Sequence, residues 1–213
     1  MSADKTTRVS RRRRADGEIS RQRILDAATE IAAERGYEGT SIGAVSTKCG
    51  LPASSIYWHF KDKDDLIAAV IERSFGSWLA AWELPMDLTY PEEAFAEMAA
   101  RIAKAFLDSP DFIRIGLMLA LERRPVEPRG REMFVQVREQ VNQRLLGTIR
   151  QLAPDLTEGD VRQLATYAIA GADGLMVAKE IGGDAVDLVA MFELHARAVY
   201  GSAQRLVAQH GTR

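Results

Sequence analysis

The sequence predicts an all-α protein, an N-terminal three-helix unit followed by a C-terminal helical bundle, about nine helices in all. Three observations predict it. Apolar residues recur at helical spacing along most of the 213 residues. No stretch shows the period-2 alternation of β-branched residues that marks a strand. Proline and glycine fall mainly between the periodic stretches, as helix punctuation does.

Residues 1–19 read as a disordered basic arm. Its block Arg11-Arg12-Arg13-Arg14 suits a phosphate-seeking role, and equally a passive solvated tail. Ser20 is a good N-cap for the first helix, which Ile24, Leu25, Ala28, Ile31 and Ala32 continue until Gly36. Thr40 or Ser41 caps a second helix with Ile42, Val45 and Cys49 on one face, and Gly50 stops it. Pro52 suits the first position of a third short helix that ends near Phe60. Asp62 caps a fourth, with Asp65 placed for a capping-box pair. The fourth helix carries Leu66, Ile67, Val70, Ile71, Phe75, Trp78, Leu79 and Trp82, and stops before Pro85. Further helices are expected over 91–108, 111–123, 130–152, 158–181 and 185–208. The breaks are expected at Ser109-Pro110, at Pro125 to Pro128, at Pro154 and at Gly182-Gly183. The expected domains are 20–66 and 67–213, with the fourth helix running from one into the other.

Composition narrows the function. With 46% hydrophobic residues and a net charge of −2, the chain can bury one sizeable core or two modest ones. Residues 1–66 lean basic and the remainder acidic. No apolar run is long enough for a membrane span, and the basic N-terminus lacks the apolar core of a signal peptide. Cys49 is the lone cysteine, which excludes an intramolecular disulfide and fits a reducing cytoplasm. His59, His195 and His210 have no metal-ligand spacing, Cys49 has no histidine partner nearby, and no glycine loop cradles phosphate. The expectation is a cytoplasmic, membrane-free protein that is not an enzyme and needs no metal or cofactor.

Two short helices, 41–49 and 52–60, joined by a tight glycine turn, have the form of a helix-turn-helix. In such a unit the second helix enters the major groove of DNA. At 100° per residue, Ile56 and Phe60 lie about 40° apart and face inward. Ser54, Ser55 and Trp58 take the opposite arc, flanked by Tyr57 and His59. Serines can donate to base edges or phosphates, and Tyr57 and His59 to phosphate oxygens. Ala53 could meet only a thymine methyl. Lys63 can reach a phosphate, and the backbone N–H groups around Thr40 and Ser41 make a phosphate site at a helix start. Ordinary packing is the competing reading for Trp58 and His59.

The segment "TSIGAVSTKCGLPASSIYWHFKDKDDL", Thr40 to Leu66, resembles the DNA-binding motif of the tetracycline-repressor (TetR) family of bacterial regulators. Ala27-Ala28, Gly36-Tyr37 and Gly50-Leu51 add to the resemblance, which is strong over residues 20–66. It implies a homodimer that binds a double-stranded DNA operator. It implies a repressor released by a small-molecule effector in the C-terminal domain. Positions matching family base contacts are Pro52, Ala53, Ser54 and Tyr57, and those matching phosphate contacts are Thr40, Ser55, His59 and Lys63. Pro52 departs from the serine or threonine that caps this helix in many members. The alternative function is a protein-interaction adaptor on the same scaffold, without an effector.

The C-terminal half offers candidates for both remaining tasks. Trp78, Trp82, Met98, Phe106, Phe112, Met118, Phe134 and Tyr167 could line an effector cavity, or simply fill a core. Arg101, Arg114, Glu122, Asn142 and Asp173 are further polar candidates for orienting a ligand. "VRQLATYAIAGADGLMVA", residues 161–178, is rich in small residues that allow close helix approach. Ala168, Gly171, Leu175 and Ala178 there, with Met191, Phe192, His195 and Val199 on the final helix, are the candidate dimer face. Two helices from each subunit would form a four-helix interface.

Overall fold

The computed structural model describes residues 3–79, 81–82, 89–122 and 128–210. The side chains of residues 3–14 and of Ser77 lie outside that description, as do Pro85 and Pro125. The helices are α1 (Ala3–Gly39), α2 (Ile42–Cys49), α3 (Ala53–His59), α4 (Lys63–Leu79) and α5 (Pro91–Asp108). They continue as α6 (Asp111–Leu121), α7 (Arg129–Leu152), α8 (Glu158–Gly182) and α9 (Leu188–His210). A 3-10 turn, Gly183–Ala185, separates the last two. No strand occurs among the described residues, so the all-α expectation holds.

Two boundaries differ from expectation. α1 begins at Ala3 rather than Ser20, and the stretch read as a disordered arm continues the helix. Ser20 does not cap it: its hydroxyl donates to the Asp16 carbonyl at 2.9 Å, a mid-helix bond. No proline interrupts residues 1–35, and arginine is a good helix former, so nothing local breaks the helix before Gly36. Gly36 takes φ 68°, and the regular helix is interrupted there. At the other end, α4 stops at Leu79 instead of running on through Trp82. Ala81 N–H donates to the Trp78 carbonyl at 3.0 Å and Trp82 N–H to that of Leu79 at 3.1 Å, a tightened i→i+3 turn.

The chain divides into two units, residues 1–75 with 111–135, and residues 76–110 with 136–213. The boundary expected after residue 66 therefore falls after Phe75, and α6 joins the N-terminal unit. Aromatic packing explains the move. Phe112 of α6 meets Phe75 at 5.7 Å and Phe134 at 6.0 Å between ring centroids.

The core of the N-terminal unit joins Ile24, Leu25, Ala28 and Ile31 of α1 to Val45, Ile56, Leu66, Ile67, Val70 and Ile71. Each large aliphatic side chain buried there contributes about 1.5–3 kcal/mol. In the C-terminal unit α9 packs against α5 and α8. α5 is buried on most sides through Ala94, Phe95, Met98, Ile102 and Phe106.

Candidate nucleic-acid interface and ligand cavity

The α2–α3 turn is built by local capping. Ser41 Oγ accepts from Ala44 N–H at 3.2 Å and caps α2. Gly50 ends α2 at φ 66°, a left-handed conformation that glycine adopts without Cβ strain. Arg23 of α1 donates to the Cys49 carbonyl at 2.7 Å, placing a cation on the negative end of α2. Ser46 Oγ donates to the Leu51 carbonyl at 2.7 Å and ties the turn to α2. Pro52 sits one position outside α3, as its N-cap, rather than inside it as expected; no side chain caps this end. Its carbonyl still accepts Ser55 N–H at 2.9 Å.

α3 is held from below by Ile56 and Phe60, both buried, and Arg21 lies over the Phe60 ring at 5.5 Å. Its outer face carries Ser54, with Tyr57 at 56% and Trp58 at 76% exposure. Ala53, Ser55 and His59 flank this face and are half-buried, while Pro52 is exposed. The helical wheel thus agrees for Ile56, Phe60, Ser54, Trp58 and His59, but Ser55, expected on the outward arc, is half-buried, and Tyr57, expected on its flank, is exposed. The Trp58 ring stacks edge-on against His59 at 4.6 Å and passes the Gly17 backbone of α1. Asp16, Gly17 and Ser20 of α1 face Ser54, Ser55, Trp58 and His59 across an open groove. Partial burial pushes the His59 imidazole below its ordinary pKa, and the Arg21 charge adds to the effect.

Two positions of the expected phosphate set are engaged elsewhere. Thr40 is buried, and its hydroxyl donates to the Gly36 carbonyl at 2.8 Å. Lys63 Nζ lies 4.0 Å from the Tyr37 ring centroid, donates to the Tyr37 carbonyl at 3.3 Å and pairs with Glu38 at 3.7 Å. Both therefore brace the end of α1 instead of standing free on the surface. Asp65 N–H donates to Asp62 Oδ1 at 2.8 Å, the expected cap of α4. The return bond comes from Lys61 N–H at 3.0 Å, not from Asp62.

The C-terminal unit holds a half-open cavity of about 70 Å³. Trp78, Trp82, Met98 and Phe106, four of the ligand candidates, are among the residues that line it. Phe112, Met118, Phe134 and Tyr167, also read as ligand candidates, do not line this cavity. Phe112 and Phe134 fill the core of the N-terminal unit. Met118 is half exposed, with its methyl against Gly36, and Tyr167 is half exposed on α8. The polar lining is Arg138, Asp173 and His195. Arg138 donates to both Asp173 oxygens, at 2.9 and 2.5 Å. Burial raises the Asp173 carboxyl above the usual carboxylate range, with Arg138 opposing. Asp173 was among the polar candidates in the sequence; Arg138 was missed, because its partner is 35 residues away.

The candidate dimer residues divide between core and surface. Ala168, Phe192 and Val199 are buried, and with His195 they line the cavity of their own unit. Gly171 lies beneath the His195 ring, so close that a Cβ would fall 2.2 Å from it. Leu175 and Met191 are half-buried, and Ala178 is exposed. The outward face is offset by about one position. It carries Tyr167, Ala170, Gly174, Val177, Ala178 and Ile181 on α8, with Leu194 and Ala198 on α9.

Comparison with known proteins places this geometry. The family described as bacterial regulatory proteins, tetR family, matches residues 24–70, which is the segment that builds α1 to α4 around the turn. Over that segment the chain is similar to the tetR family. The HTH-type transcriptional regulator AcrR of Shigella flexneri is 36% identical over 83 residues, 39% of this chain and 38% of that protein. The fatty acid metabolism regulator protein of Bacillus subtilis is 26% identical over 136 residues, 64% of this chain and 66% of its own. The chain thus spans under two thirds of these curated relatives. The crystal structure of the transcriptional regulator FadR from Bacillus subtilis in complex with stearoyl-CoA superposes with TM-score 0.68 at 20% identity. The likeness covers 84% of this chain and 97% of that one, so the shared fold extends beyond the matched segment. The curated relatives are described as regulators rather than enzymes. Among the described residues, no helix is long and apolar enough to cross a membrane.

Proposed function

We propose that this chain is a sequence-specific DNA-binding transcription regulator, a homodimeric repressor released by a small molecule held in the cavity of the C-terminal unit. The observation that carries the reading is α3. Two buried anchors fix it, and above them two large rings stand in solvent beside serine hydroxyls. Exposing that much aromatic surface is unfavourable unless something covers it, and a major groove does. Ser54 and Tyr57 read bases; Ser55 and His59 contact phosphates, together with the backbone N–H groups at the start of α2. Thr40 and Lys63 position this surface from behind.

Coupling to the effector follows the chain. Trp78 lines the cavity, and the same helix carries Leu66 to Phe75 in the core of the DNA-binding unit. A ligand that binds one arrangement of α4 better than another shifts the population toward it. The relative solved with stearoyl-CoA supports effector binding in this fold. This cavity, at about 70 Å³, is far smaller than a long acyl chain, which favours a compact ligand.

The test is binding of the full chain to its own upstream DNA across a salt series. Affinity should fall steeply as salt rises, with a log–log slope set by the number of phosphates contacted. Tyr57→Ala should weaken operator binding by about 5- to 150-fold, from about 1–3 kcal/mol per lost base contact. Salt-independent association with another protein, and none with DNA, would instead establish the adaptor function.

A further inference from the structure

The ring of Trp82 lines the cavity, and its Nε1 is buried with no hydrogen-bond partner among the described residues. The charged and imidazole groups around it are engaged. Arg138 and Asp173 hold each other through two bonds and neutralise each other's charge. His195 Nε2 lies 3.0 Å from the Ala168 carbonyl oxygen. Apart from the Trp78 indole N–H, the remaining wall is apolar and largely aromatic. Trp78 sits 5.3 Å from Trp82 and 5.0 Å from Phe106, and Phe106 lies 5.8 Å from Phe192.

A buried N–H without an acceptor costs free energy that a ligand oxygen recovers. The three ligand classes fare differently here. A carboxylate reaches Arg138 only by separating it from half-buried Asp173. A cation meets an aspartate whose charge is already matched. A hydrocarbon fills the space and leaves the N–H unmet. We infer that the cavity takes a compact, uncharged, mostly apolar molecule with one hydrogen-bond acceptor, such as an aryl ketone or ester, whose oxygen accepts from Trp82 Nε1. The inference rests on the cavity being the effector site. Met98 in the wall supplies the adaptable side chain that a ligand larger than the resting cavity requires.

Isothermal titration of the full chain with acetophenone, ethylbenzene, benzoate and benzyltrimethylammonium tests it. Acetophenone and ethylbenzene share a shape and differ by the carbonyl. Trp82→Phe keeps a ring and removes the N–H. It should weaken acetophenone about tenfold and leave ethylbenzene within about twofold. Equal losses for both ligands, or none for acetophenone, overturn the assignment. So does tighter binding of either ion than of acetophenone. If Trp82→Phe does not fold, the carbonyl stretch of isotope-labelled acetophenone bound to the unmodified chain decides. A shift to lower frequency than in hexane supports the bond, and an unshifted band overturns it. Should all four probes bind and release the operator alike, the acceptor inference falls while the effector reading stands. Binding by none of them overturns both.

Discussion

His59 concentrates the chemistry of the proposed DNA face. Partial burial, with Arg21 nearby, holds its imidazole below the ordinary value of 6.5, so it is neutral in the free protein near pH 7. A phosphate oxygen placed against it would favour the charged form. Operator binding would then take up a proton, and affinity should rise as pH falls from about 7 toward 5. The folded free protein responds with the opposite sign. A depressed histidine pKa means stability is lost as pH falls below 6.5, so DNA should protect most at the acid end. His59→Gln should flatten the pH profile of operator affinity at constant salt; an unchanged slope would place the titrating group elsewhere. The residue scale also marks what the sequence could carry. Ile56 and Phe60 follow from 100° arithmetic, because their partners lie within one short helix. Thr40, Lys63, Arg23 and Arg138 do not. Lys63, Arg23 and Arg138 find partners 26, 26 and 35 residues away, a separation no local spacing encodes. Thr40 bonds locally, yet its burial depends on how α1 and α2 pack.

At the scale of elements, helix existence was legible and helix ends were less so. α5 matches its expected range because Pro91 starts it and Ser109-Pro110 stops it. α1 overran its expected start because Ser20, though a good cap, can equally satisfy its hydroxyl on the preceding turn. The faces of α8 and α9 were harder to assign, since each helix is apolar on more than one side and periodicity does not say which side looks inward. The contact of Gly171 with His195 fixes that orientation and can be tested. Gly171→Ala drives a Cβ into the imidazole, and the helix and ring must separate. Overpacking of this kind costs about 1–3 kcal/mol. Gly147 of α7 is exposed and a Cβ there meets nothing, so Gly147→Ala should instead stabilise by about 0.5–1 kcal/mol. Urea unfolding midpoints of the two variants should therefore move in opposite directions. Equal shifts would mean that His195 does not rest on α8.

At the scale of the whole molecule, the apolar face of α8 and α9 is the feature a monomer explains least. Ile181 is 83% and Leu194 60% exposed, with Val177, Tyr167 and several alanines between charged flanks. Contiguous apolar surface of this kind is usually covered. In the proposed homodimer a second copy of the chain would cover it with two-fold symmetry, the same face meeting itself where Gly174, Ala170 and Ala178 permit close helix approach. The proposed DNA reading needs such a dimer. One helix-turn-helix has few contacts, whereas two recognition helices reading half-sites about 34–36 Å apart bind cooperatively. Ile181→Glu and Leu194→Glu separate the two requirements. Neither side chain takes part in the core of its own unit, so helicity should be retained, while the unfolding midpoint falls only by what the dimer contributes. A carboxylate buried at a self-complementary interface appears twice, once from each subunit, and both are desolvated. Sedimentation at micromolar concentration should therefore show dimer for the unmodified chain and a species near 23.6 kDa for the double variant. Operator affinity should fall with it, while the steep salt dependence of the residual binding persists because the α3 face is intact. An unmodified chain that sediments as a monomer, or a double variant that remains dimeric, would move the interface off this face.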